Sequence, residues 1–132
     1  MMTLPFVCSL LFALPIVAQQ FTQPIAGDPS FAIEASPTVV QFLVGGQVEP
    51  FCGVVMFSPS SQLAHYFVGL PPMLAGAEML GYGLSTDRGY VLQVPSGLFG
   101  VGTKWYAQGL AVDASGVRAT AVGAFVLSLI AE

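Results

Sequence analysis

From Phe31 onward, short apolar runs alternate with Gly, Pro and Ser punctuation at spacings of roughly ten residues, the pattern of an all-β domain. No stretch holds a sustained helical period with caps. Eight strands follow from this reading. Phe31 to Ala35 is the first, with Phe31, Ile33 and Ala35 on one face and Glu34 on the other. Thr38 to Val44 is the second, closed by Gly45-Gly46. Cys52 to Phe57 is apolar throughout and reads as a central, buried strand. Leu63 to Val68 and Glu78 to Tyr82 are shorter. Gly89 to Val94 places Tyr90, Leu92 and Val94 together, and Pro95 stops the ladder.

The last two strands form a hairpin, Lys104 to Val112 and Val117 to Leu129. In the first arm Trp105, Ala107, Gly109, Ala111 and Asp113 share one face. Tyr106, Gln108, Leu110 and Val112 share the other. Between the arms, Asp113-Ala114-Ser115-Gly116 is a turn in which Asp113 bonds forward to the backbone and Gly116 takes a positive φ. This accounts for Asp113 structurally, without catalysis. The alternation places Val117, Ala119, Ala121, Phe125, Leu127 and Leu129 on one face of a single long second arm.

The first eighteen residues break the pattern. "MMTLPFVCSLLFALPIVA" has no charged side chain and is too short for a spanning helix, which needs about 20 residues. It ends in small Ala18 before polar Gln19-Gln20, and reads as a signal peptide over 1–18, although its n-region lacks Lys and Arg. Residues 19–30 read as a linker or N-terminal arm and 31–132 as the domain. Export to the cell surface, the periplasm or the medium is the expectation, with no stable transmembrane span after cleavage. Cys8 lies in the leader, so Cys52 stands alone: a buried inert thiol, or a half of an intermolecular disulfide.

Composition narrows the function. Apolar residues at 55% and charged residues at 8% exclude ordinary disorder. A mean hydropathy of +0.78 raises a transmembrane β-barrel, but several of these strands are short and apolar on both faces. With net charge −4 and only Arg88, Lys104 and Arg118 as bases, no nucleic-acid-binding stripe can form. There is no asparagine, hence no N-glycosylation sequon.

The search for chemistry is mostly negative. His65 is the one histidine and no metal-ligand spacing occurs, so neither metal nor cofactor is expected. The carboxylates are scattered, and no nucleophile elbow accompanies Ser58, Ser60 or Ser61 to make a triad with His65 and Asp87 or Asp113. "LFGVGTK" lacks the phosphate-loop spacing. What remains is surface: Met73, Leu74, Met79, Leu80 and Trp105 are the candidate interaction residues, against the plainer reading that they cap a core.

One resemblance is usable. Asp87, Gly89, Pro95, Gly102, Tyr106, Ala107, Gln108, Leu110 and Asp113 fall in a pattern of turn, alternating strand, proline, aromatic strand and closing turn. This stretch resembles the C-terminal half of secreted planctomycete-type β-sandwich domains, which are immunoglobulin-like or fibronectin type III-like. It covers about half of the chain beyond the leader, and departs from the pattern in lacking a second cysteine to pair with Cys52. The resemblance implies an antiparallel immunoglobulin-like β-sandwich of about seven or eight strands and no established chemistry. The leading expectation is a non-catalytic structural or adhesive protein whose partner is itself or an envelope component. A carbohydrate-binding module is the alternative, with Trp105, Tyr90 or Tyr82 as platforms and Gln93 or Gln108 as donors. A small hydrolase using His65 is the third.

Overall fold

The computed structural model describes residues 19–20, 27–36, 38–47, 50–66, 68–100 and 102–127; the leader lies outside them. The protein is all-β, built of antiparallel sheets that do not close into a barrel. No helix among the described residues is long and apolar enough to cross a membrane. The described residues form eleven strands: β1 (Gln19–Gln20), β2 (Ser30–Ala35), β3 (Val39–Gly45), β4 (Cys52–Ser58), β5 (Leu63–Ala64), β6 (Met73–Leu74), β7 (Glu78–Leu84), β8 (Tyr90–Pro95), β9 (Lys104–Asp113), β10 (Gly116–Ala119) and β11 (Gly123–Val126).

The larger sheet runs β1-β11-β9-β4-β7, with β10 also pairing β9. The smaller sheet runs β2-β3-β8, and β5 with β6 makes a separate two-stranded ribbon. Cys52–Ser58 does lie centrally, between β7 and β9, as its continuous apolar run predicts.

One core fills the space between the two main sheets. The smaller sheet contributes Val40, Phe42, Val44, Tyr90 and Val94, and the larger contributes Val55, Ala107, Ala111 and Phe125. The division of size is unequal for a steric reason. On the inner face of the larger sheet stand Gly53, Gly81, Gly83 and Gly109. A Cβ at Gly53 would lie 2.4 Å from Tyr90, and one at Gly109 would lie 2.5 Å from Val44 Cγ2. The glycines form a floor into which the bulky side chains of the smaller sheet settle.

Phe99 seals one end of this core. The 3₁₀ turn Ser96–Leu98 follows β8 and delivers Phe99, 3% exposed, among four rings. Its centroid lies 4.9 Å from Phe125, 5.9 Å from Phe57, 6.2 Å from Phe42 and 6.3 Å from Trp105. All four pairs are edge-on, the geometry that ring quadrupoles favour.

Several boundaries differ from the sequence reading. Of the strand expected over Leu63 to Val68, Leu63–Ala64 forms, His65, Tyr66 and Val68 do not join it and Phe67 lies outside the described residues; β6 was not foreseen. Gln19–Gln20, expected in an unpaired stretch, pair with Ala124 and Gly123. The last arm is not one strand. Ala119 pairs Leu110 and Gly123 pairs Ala107, so three residues oppose two and the arm carries a one-residue bulge. There the Gly109 N–H donates to Thr120 Oγ1 (2.9 Å), a side chain standing in for the ladder acceptor. The turn itself forms as read: Gly116 has φ 128° and Asp113 Oδ1 accepts from the Ser115 N–H.

Candidate functional site

Directly opposed residues in an antiparallel ladder share a face. With Val55 and Phe57 turned to the core, the alternating residues Cys52, Val54 and Met56 of β4 point outward. Their partners on that outer face are Leu84, Tyr82 and Met79 of β7 on one side. Val112, Leu110 and Gln108 of β9 lie on the other. Beyond β9, Val117 and Ala119 continue the face.

A bulge sorts the charge on this surface. Val55 pairs Gly81 but Met56 pairs Met79, so Leu80 is the extra residue. Without it, Glu78 would share the face of Tyr82 and Leu84. With it, Glu78 pairs Phe57 and moves to the inner side. The part of the outer face bounded by Leu84, Met79, Gln108 and Ala119 carries no charged side chain; Lys104 holds the same side of β9 beyond Tyr106.

Part of this face is covered. The β5–β6 ribbon lies over its Gln108 end. Gln108 is 2% exposed yet satisfied: Oε1 accepts from the Leu74 N–H (3.0 Å), and Nε2 donates to the Thr120 carbonyl (3.1 Å). Ser58 Oγ donates to the Ala75 carbonyl (3.0 Å), a second fastening of the same ribbon. An unpaired amide there would cost about 1–3 kcal/mol, so these bonds lock the ribbon in place.

The rest is open. Leu84 is 81%, Tyr82 69% and Met79 58% exposed, on a strand at the edge of the sheet. Cys52, a free thiol, is half-buried beside them.

The sequence-selected surface residues divide. Met79 is exposed, but Leu74 is buried beneath the ribbon and Leu80 packs against the core. Met73 is half-buried in β6. Trp105 is half-buried: it packs tilted on Phe57 at 5.1 Å, and Nε1–H donates to the Phe99 carbonyl (3.0 Å). These residues cap the core more than they display a patch. Tyr82, expected only as an aromatic platform, and Leu84, which the sequence reading missed, are the most open members of the face; their alternation with Gly81 and Gly83 was the available signal.

The other chemical candidates do not converge. Tyr90 is buried in the core with its hydroxyl pKa raised, first by desolvation and then by Cys52. Gln108 is enclosed, and Gln93 donates to Gln41 (3.0 Å). Ser58 is engaged with the ribbon, and His65 is exposed. Asp113 accepts from Ser115 and pairs with Arg118; these bonds, Ser115 foremost, hold its carboxyl below the ordinary value. No group of three or more His, Cys, Asp or Glu that could hold a metal occurs among the described residues.

Comparisons with family models, curated proteins and solved structures find no match to this chain.

Proposed function

We propose that the protein is a secreted, non-catalytic structural or adhesive domain that packs on copies of itself through the outer face of its larger sheet. The observation that carries this reading is the row Met79, Tyr82 and Leu84, exposed and uncharged on an edge strand. A contact across a two-fold axis sets like charges near one another, so a chain of net charge −4 associates with itself best through a face without charge. Edge position adds the option of strand-to-strand pairing between copies.

Secretion rests on the uncharged apolar leader ending at Ala18. The resemblance to planctomycete-type domains, and with it an immunoglobulin-like β-sandwich, agrees with two antiparallel sheets around one core. Sedimentation velocity over a concentration series tests the function. The chain is expected to shift to dimer or larger species, and a Tyr82→Lys/Leu84→Lys double variant to stay monomeric. A monomer at every concentration ends the self-packing reading; retention of that monomer on envelope material would transfer the face to an envelope partner.

A further inference from the structure

Beside the outer face, but on the other side of the β7 bulge, lies a cleft of about 530 Å³. That volume falls in the range of small-ligand sites, about 300–1,000 Å³. Phe57, Trp105, Met79 and Leu98 contribute its walls, and Glu78 is its one charged side chain. Among the described residues, no Lys, Arg, His, Ser or Thr side chain lines it.

The donors nearby are already engaged. Trp105 Nε1–H is bonded to the Phe99 carbonyl, and the Gly76 N–H donates to Tyr66 Oη (3.1 Å). The indole is therefore fixed in orientation, with Phe57 tilted against it at 5.1 Å. Glu78 is paired with Phe57 across the β7–β4 ladder, so the two side chains leave the sheet side by side and both line the cleft. The cleft thus offers aromatic surface, a thioether and an acceptor of full negative charge. An anion is repelled there, and a neutral acceptor finds no donor side chain. A cation with an apolar coat meets both the ring quadrupoles and the carboxylate.

We propose that this cleft binds a small organic cation of the alkylated-ammonium class, held between the Phe57 and Trp105 rings and Glu78. The proposal does not rest on self-association: Glu78 and Trp105 lie on the opposite side of the sheet from Tyr82 and Leu84, and Met79, which borders both surfaces, is the one residue they share.

Trp105 is the chain's one tryptophan, so its fluorescence reads the cleft directly. The purified chain is titrated at constant ionic strength with choline, and in parallel with its neutral isostere 3,3-dimethyl-1-butanol. A saturable change with choline is expected, weakened about tenfold or more for the neutral isostere and in Glu78→Gln. Leu98→Lys, which sets a cation at this exposed rim position, is expected to abolish it and serves if Glu78→Gln is poorly folded. No saturable change, or equal binding of the neutral isostere, or full binding by either variant with unchanged circular dichroism, overturns the proposal.

Discussion

The two faces of the larger sheet are built from the same strands and are both apolar, yet they have opposite fates. The inner face has small residues, Gly53, Gly81, Gly83, Ala107, Gly109 and Ala111, and is covered by large ones. The outer face has large residues and is covered only at its Gln108 end. Hydrophobicity alone therefore does not say which side of a strand is core. What decides is shape: the glycine floor admits a second sheet at close range, while Tyr82 and Leu84 present bulk to whatever approaches.

The sharpest way to break the comparison is at the covered end. Phe99→Ala removes the ring shared by four aromatic neighbours and is expected to cost about 3–5 kcal/mol, measured by urea unfolding. Gly53→Val comes next, at about 3 kcal/mol, because its Cβ would enter the Tyr90 ring. Gly97→Ala is the control: its Cβ meets nothing within 4 Å, so the change should stay within about 0.5 kcal/mol. If Gly53→Val proves as mild as Gly97→Ala, the floor is not what admits the second sheet.

On the open face the expectation reverses. Tyr82→Ser with Leu84→Ser should leave the unfolding free energy of dilute chain within about 1 kcal/mol, since little is lost from water contact. A larger loss would mean that the face is packed within a single copy. Cys52, opposite Leu84, gives a gentler probe. Its alkylation should slow as chain concentration rises, and should not slow in the Tyr82→Lys/Leu84→Lys variant.

The smallest effects come from titration. Asp113 has a folded pKa below its unfolded value, so its contribution is present above about pH 4 and is lost as pH falls through the folded value. Asp113→Asn keeps an oxygen acceptor for Ser115 and loses the Arg118 pair, so the difference between wild type and variant should vanish on acidification. Tyr90 behaves oppositely. Its raised pKa favours the fold up to the usual tyrosine value of about 10, and stability then falls as pH rises through the folded value. Thermal melts across both ranges check these signs, with Tyr90→Phe flattening the alkaline limb.

Much of the fold was legible because period-two alternation is a local property. The faces of β8 and β9, the Asp113 turn and the central place of Cys52–Ser58 all follow from it. Three features did not, each because it depends on a distant partner. Gly53 and Gly109 read as ordinary strand positions, and their lack of a side chain acquires a reason only when Tyr90 and Val44 arrive above them. Leu80 reads as an ordinary member of an alternating strand until its ladder with β4 shows the extra residue. Leu74 reads as exposed loop until its N–H finds Gln108, 34 residues away. The candidate surface suffered most. It was sought at Met73, Leu74, Met79, Leu80 and Trp105, and of these only Met79 stands exposed on the open strand, beside Tyr82 and Leu84.

The β4–β9 ladder joins residues 52–58 to residues 106–112. A chain made from its N-terminus leaves that side of β4 unmatched until most of its length has emerged. Such long-range closure slows folding. A late-closing polypeptide of this kind stays threadable until its far end is released.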